Sequence, residues 1–67
     1  MNNWREVASS LRTKVNAHVS RYGLEDWSDD IFQECFLSLL ESPDQEINRV
    51  VWRVAKRIER DRQRHGS

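Results

Sequence analysis

The sequence predicts an all-α protein, a small three-helix bundle that forms a single domain over residues 1–67. Apolar residues recur every three or four positions in three separate stretches, the spacing of one face of a helix. Strand-like alternation is lacking, and one Pro and two Gly leave few breaks in the chain. Because no helix can bury its apolar stripe alone, we expect the three to pack together through short connections.

The first stripe predicts a helix over residues 3–22. Its members are Trp4, Ala8, Leu11, Val15, Val19 and Tyr22. Gly23 follows directly, and glycine is the usual residue after the end of a helix. We therefore expect the first helix to end near Gly23.

The second stripe predicts a helix over residues 27–41. Its members are Trp27, Ile31, Phe32, Cys35, Phe36, Leu39 and Leu40. The side chain of Asp26 or Ser28 is expected to accept hydrogen bonds from the free amides of the first turn.

A third helix is predicted over residues 43–62, with fraying past Arg62. Ser42 suits the capping position, Pro43 the first helical position and Gln45 the reciprocal position of a capping box. The apolar stripe of this helix comprises Ile47, Val50, Val51, Val54 and Ile58. We expect one core to contain Leu11, Val15, Ile31, Cys35, Leu39, Val51, Val54 and Ile58.

Length and composition limit the class of protein. A chain of 67 residues buries a thin core. The lone Cys35 cannot form an intramolecular disulfide, which fits a reducing compartment. No apolar run approaches the length of a membrane span or a signal-peptide core. We expect a cytoplasmic protein that makes no use of a membrane.

A formal net charge of zero conceals a strong segregation of charge along the chain. Residues 1–24 carry four bases and one acid, residues 25–46 carry eight acids and no base, and residues 47–67 carry seven bases and two acids. This pattern predicts two surfaces for two kinds of partner, although attraction between them inside the fold would occupy part of both.

The third helix carries a basic face that the core does not require. Helical spacing places on it Arg49, Trp52, Arg53, Lys56 and Arg60. Basic side chains neutralise phosphates, and an exposed indole stacks on an unpaired base. The face therefore predicts weak, salt-sensitive binding that prefers single strands. The alternative is a solvated basic face with Trp52 folded back over the rim of the core.

An acidic strip lies beside the apolar stripe of the second helix. Helical spacing groups Asp30, Gln33, Glu34, Leu37 and Glu41. Such a strip with one exposed Leu is able to dock a basic partner helix, and an ordinary solvated face is the alternative.

Catalytic and metal sites are not expected. Cys35 lies on an apolar stripe, where a lone Cys usually packs and does not react. His18 and His65 are far apart and belong to no ligand motif, and His18 is expected to be a partly buried polar residue. We expect a protein that is not an enzyme and that has no cofactor.

Two segments resemble the second conserved region of bacterial sigma factors, especially the extracytoplasmic-function group. Asp30-Ile31-Phe32-Gln33-Glu34-Cys35-Phe36-Leu37 is similar to that family's D-L-V-Q-E-x-F-L, and Val51-Trp52-Arg53-Val54-Ala55-Lys56-Arg57-Ile58 is similar to its L-Y-R-I-A-R-N-L. Asp61-Arg62-Gln63-Arg64 continues like the family's D-x-x-R ending. The resemblance covers roughly residues 10–64.

The resemblance implies a role for each of the two faces. In the family, the first motif docks on the clamp helices of the RNA polymerase beta-prime subunit, which implies polymerase binding by Asp30, Gln33 and Glu34, flanked by Leu37 and Glu41. The next helix in the family contacts promoter DNA and holds the melted minus-ten element. That implies a DNA-facing role for Trp52, Arg53, Lys56, Arg57 and Arg60. Arg49 joins the predicted nucleic-acid-binding residues through its place on the basic face alone.

The chain departs from the family pattern in three ways. The segment 42–46 is shorter than the family's usual connection. The family's aromatic pair before the second motif appears here as Ile47 and Val50. The second DNA-binding domain of the family is missing, so we expect a fragment, or a stand-alone piece that acts as a regulator or depends on a second protein for that domain.

Three rival functions stay open at the level of sequence. A small regulator would occupy the sigma site on polymerase and block or redirect it without reading DNA. A helix-turn-helix domain would insert its last helix into the major groove, although groove readers place Asn, Gln or Arg where Trp52 stands. A plain helical dimer would have no nucleic-acid role.

Overall fold

The computed structural model describes the backbone of residues 3–66 and the side chains of residues 3–62. Three helices fill this range: α1 (Trp4–Tyr22), α2 (Ser28–Glu41) and α3 (Ile47–Gly66), with a single 3-10 turn at Glu25–Trp27 before α2. No strand occurs between residues 3 and 66. The predicted fold class, an all-α three-helix bundle, is confirmed.

One hydrophobic core joins the three helices. All eight residues predicted for it are buried, and Leu11, Val15, Ile31 and Cys35 have no exposed surface at all. Four further residues complete the core, and these are Val19, Leu24, Val50 and Ala55. The helical spacing of apolar residues therefore identified the buried face of each helix.

Two residues of the predicted stripes are exposed to solvent. Tyr22 is 47% exposed and Leu40 is 45% exposed. Each stands at the edge of its stripe near the C-terminal end of its helix.

An aromatic cluster closes the side of the bundle between α1 and α2. The rings of Trp4 and Phe36 meet edge to face with centroids 5.9 Å apart. Phe36 in turn stacks on Phe32 at 6.0 Å, and the Arg12 guanidinium lies 4.4 Å from the centre of the Phe32 ring. These half-buried rings extend the thin core at its border, since aromatic side chains bury large areas.

Gly23 ends α1 as the sequence predicts. Its backbone is left-handed, with φ of 69° and ψ of 36°. This conformation lets the amides of Gly23 and Leu24 both return to the carbonyl oxygen of Val19, the latter at 2.8 Å. The turn then directs Leu24 back into the core.

The predicted side-chain cap of α2 is wrong. Neither Asp26 nor Ser28 accepts a capping hydrogen bond, and the residue before the helix is Trp27. The chain enters α2 from the 3-10 turn, whose Trp27 amide already donates to the Leu24 carbonyl at 2.9 Å. Asp29 and Asp30 in the first turn still favour this end of the helix, because their charges complement its dipole.

The predicted start of α3 at Pro43 is also wrong, because α3 begins at Ile47. Gln45 does not form a capping box. Its side-chain amide donates instead to the carbonyl oxygens of Ser38 and Ser42, at 3.0 and 3.2 Å. These bonds satisfy carbonyl groups at the C-terminal end of α2, so residues 42–46 form a connection and not a first helical turn.

The last helix runs further than predicted. Fraying was expected past Arg62, whereas α3 continues to Gly66. This end of the helix carries no apolar stripe, so sequence periodicity gives no signal for it.

Candidate functional site at the α2–α3 surface

The five residues of the acidic strip share one side of α2. Gln33, Glu34, Leu37 and Glu41 are exposed, and Asp30 is half-buried. Leu37, at 53% exposure, is the most exposed of the large apolar side chains of the described residues. The strip is held in place from the opposite side of the helix, where Ile31, Cys35 and Leu39 are buried.

The basic face of α3 is likewise turned away from the core. Arg49, Trp52, Arg53, Lys56 and Arg60 are all exposed, as is Arg57 beside them. The apolar side of the same helix is buried through Val50, Val51, Val54 and Ile58. The five predicted members of the face therefore lie together on the solvent side of α3.

Two ion pairs join the acidic strip to α3. An Nη of Arg57 donates to a carboxylate oxygen of Glu34 at 2.7 Å, and Arg62 forms a pair with Asp30. The two predicted surfaces thus meet along the α2–α3 border, and attraction inside the fold occupies two of the strip's carboxylates. Arg62 was not predicted for the site, because its partner is 32 positions away in the sequence.

The Arg53 side chain is hydrogen-bonded to other residues of the protein. Its guanidinium donates to the Ser38 hydroxyl at 3.1 Å and to the Gln45 side-chain oxygen at 2.6 Å. Arg53 therefore braces the connection between α2 and α3. The sequence assigned it to nucleic acid alone, because the turn that it contacts was expected to be the start of the helix.

Trp52 is partly exposed and also packs against α1. It is 45% exposed, yet it also leans on α1, where the His18 ring meets it edge to face at 5.1 Å and the Tyr22 ring at 5.6 Å. His18 and Tyr22 are themselves 4.7 Å apart. The four-residue spacing of His18 and Tyr22 is the sequence signal for their contact, and it was missed because Tyr22 was placed on the apolar stripe of the first helix.

The environment of His18 lowers its pKa below 6.5. Burial disfavours the charged ring most, and the charges of Lys56 and Arg21 act in the same direction, while Glu59 opposes them. His18 is half-buried, as expected, and is a neutral aromatic ring at neutral pH.

Cys35 has the environment of a packing residue. Burial raises the pKa of its thiol to about 12, the nearby Arg53 lowers it and Glu34 raises it slightly further. The Sγ atom lies 3.8 Å from the Val50 carbonyl oxygen. A fully buried thiol that stays protonated is a poor nucleophile.

Within residues 3–62, no three His, Cys, Asp or Glu side chains lie close enough together to hold a metal ion. Over the described part of the chain, none of the helices has both the length and the apolarity needed to cross a membrane.

No protein-family model matches this chain, and no match was found among curated proteins or among solved structures.

Proposed function

We propose that this chain is a cytoplasmic sigma-region-2-like module of transcription initiation, which binds the clamp helices of the RNA polymerase beta-prime subunit through α2. One observation carries the proposal: an exposed Leu37 stands among Gln33, Glu34 and Glu41 on a helix whose other face is buried in the core. The same strip bears the closest resemblance to the sigma family. The basic face of α3 is then available for promoter DNA, preferentially single-stranded.

The strip is suited to a basic helical partner. Residues 25–46 contain no base, so the strip is acidic apart from the arginines that reach it from α3. A single apolar side chain in a polar surround provides a central contact that excludes water, and the charges around it select a partner of opposite sign.

The internal ion pairs are too weak to prevent docking. The side chains of Glu34 and Arg57 are 47% and 61% exposed, and an exposed pair of this kind contributes about 0–1 kcal/mol. A charged contact that becomes buried in an interface typically loses about 2–5 kcal/mol when one partner is truncated. The pair with Arg57 is therefore no obstacle to a contact between Glu34 and a base of the partner, and truncation of Glu34 in the complex should be costly.

The DNA-binding half of the proposal rests on the cations of α3 that the fold does not use. Arg49, Lys56 and Arg60 form no ion pair with any residue in the range 3–62. Because such contacts act through phosphate charge, binding should be weak and should fall steeply with added salt.

The test is binding of the whole chain to an isolated clamp-helix fragment of the beta-prime subunit. Asp30→Ala or Glu34→Ala should weaken binding tenfold or more without unfolding the domain. Lys56→Ala and Arg60→Ala should leave that affinity nearly unchanged while reducing DNA binding, with circular dichroism as the check on helix content. If the α2 variants bind like the parent while the α3 variants fail, the partner lies on the basic side and the proposal is wrong.

Titration with oligonucleotides separates the proposal from its rivals. Preference for a single strand at low salt supports the sigma-like module. Preference for a duplex favours a helix-turn-helix domain, and polymerase binding without any DNA binding favours a regulator that occupies the sigma site.

A further inference from the structure

A concave site lies between α1 and α3, on the side of the bundle away from the acidic strip. We call it the α1–α3 pocket, and its characteristic lining consists of Lys14, His18, Arg21, Tyr22, Asn48 and Trp52. Its volume is about 270 Å³. Four of these six residues come from α1, a helix to which the proposed function gives no contact.

Aromatic surface is available in the pocket. The His18, Tyr22 and Trp52 rings contact one another, and the two larger rings are each about half exposed. Trp52 meets the other two rings edge to face, at 79° and 67°, and its 45% exposure leaves part of the ring open to a further flat group. Burial and the neighbouring cations lower the pKa of His18, so the third ring is uncharged at neutral pH.

Positive charge surrounds these rings, and no carboxylate lines the pocket. Lys56 lies 5.5 Å from the centre of the Trp52 ring, and the Arg21 guanidinium lies 5.8 Å from that of Tyr22. Lys14, Arg21 and Lys56 form no ion pair with the described residues. The charge of Glu59 raises the pKa of His18, but burial together with Lys56 and Arg21 outweighs it, so the pKa is lowered.

The combination restricts the chemistry of the ligand. An acidic peptide would use the cations and leave the aromatic surface unused, whereas an apolar ligand would leave three cations without partners. A nucleotide matches both features, because its base stacks on aromatic rings and its phosphate pairs with cations. Asn48 adds an amide that is able to hydrogen-bond a base edge.

We propose that the α1–α3 pocket binds one unpaired nucleotide of a single strand, with the base against Tyr22 and Trp52 and a phosphate at Lys14 and Arg21. The inference rests on the proposed function in one respect, since it extends the DNA-binding surface from α3 onto α1. Duplex DNA fits poorly, because its bases are already stacked on their neighbours.

Fluorescence anisotropy of a labelled single-stranded dodecathymidylate, titrated with the whole protein, tests the proposal. Removal of one stacking ring in Tyr22→Ala should weaken binding about fivefold or more, and Tyr22→Phe should restore it. Lys14→Ala should weaken binding and reduce its salt dependence by about one phosphate contact. Arg5→Ala is the matched control, because Arg5 is exposed and nine positions before Lys14, which places it on the opposite side of α1.

A strand of the same length with abasic sites separates stacking from charge. The parent protein should bind it at least about fivefold more weakly than the thymidylate strand, and this difference should be smaller for Tyr22→Ala, which keeps only Trp52 for stacking. Equal binding of the two strands by the parent, or no effect of Tyr22→Ala and Lys14→Ala, would overturn the inference.

Failure of the inference is distinguishable from failure of the proposed function. If Arg49→Ala and Arg60→Ala weaken strand binding while the α1 variants do not, DNA binding resides on α3 alone and only the inference fails. If neither the parent protein nor any variant binds the strand, the inference fails. The clamp-helix titration then decides separately whether the proposed polymerase binding holds.

Discussion

An Nη of Arg57 on α3 donates a 2.7 Å hydrogen bond to a carboxylate oxygen of Glu34 on α2. One residue predicted for nucleic acid is thus bound to one predicted for polymerase. The pair stands on the solvent side of the bundle, with the core below it held by buried apolar side chains. Its role in stability is therefore expected to be small.

We expect Arg57→Ala to lower the free energy of unfolding by less than about 1 kcal/mol, because both side chains are about half exposed to screening solvent. The difference from the parent should shrink further in high salt. Urea titration at two salt concentrations measures it, since urea adds no ions. A loss of several kcal/mol would mean that the pair is a main support of the fold.

The core was predictable from sequence because helical periodicity alone decides which side of a helix is apolar. All eight predicted core residues are buried for that reason. The contacts of Gln45 and Tyr22 were not predictable in the same way. The Gln45 side chain is close in sequence both to the end of α2 and to the start of α3, and it hydrogen-bonds at the end of α2. The contact of Tyr22 with Trp52 depends on how α1 and α3 are rotated about their axes, which local spacing does not encode.

The sequence predicts which residues share the acidic strip and which share the basic face, but it does not predict the ion pairs between α2 and α3. Spacing placed the acidic strip on one side of α2 and the basic face on one side of α3. Which carboxylate meets which arginine depends on the relative height of the two helices, so Asp30–Arg62 appears only in the folded chain.

The left-handed turn at Gly23 leads to a stability prediction. Gly23→Ala should destabilise the protein by about 1 kcal/mol, because a φ of 69° is unfavourable for a residue with a Cβ. Apart from Gly23 and its chain neighbours, no atom lies within 4 Å of the position that this Cβ would take, so the cost comes from the backbone conformation. Chemical denaturation measures the loss. Gly23→Asn is the control and should lose less, since Asn tolerates this conformation better; an equal loss would point to another cause.

Burial of the Cys35 thiol predicts a loss of stability in alkali. Its pKa is about 12 in the folded protein and near 9.0 when exposed, so the unfolded chain releases the proton first. The stabilising contribution is complete below pH 9 and declines as the pH rises from 9 towards 12. Between pH 8 and pH 10.5, the denaturant concentration at the midpoint of unfolding should fall more for the parent than for Cys35→Ala. Equal falls would show that the thiol is not shielded.

Cys35→Ala should otherwise only lower stability and leave binding qualitatively intact, because the side chain packs and does not react. Loss of clamp binding in a Cys35→Ala protein that keeps its helix content would show a functional thiol.

Protonation of His18 predicts the opposite trend in acid. Burial lowers its pKa below 6.5 in the folded protein, so the unfolded chain takes up the proton first as the pH falls. The stabilising contribution is present above pH 6.5 and declines as the pH falls through the lowered pKa. Urea midpoints at pH 7.5 and pH 5.5 should differ more for the parent than for His18→Gln. The same difference in both proteins would place His18 in solvent.

The most direct test of the central claim, that α2 and not α3 docks on polymerase, is a map of amide chemical-shift changes by NMR. Labelled protein is titrated with an isolated clamp-helix fragment of the beta-prime subunit, and Glu34→Ala is titrated in parallel as the weakened control. The account predicts that the largest changes cluster around Gln33, Leu37 and Glu41, and that Glu34→Ala requires at least tenfold more fragment to reach them. Changes centred on the α1–α3 pocket or on Arg49 and Lys56, with Glu34→Ala indistinguishable from the parent, would contradict it.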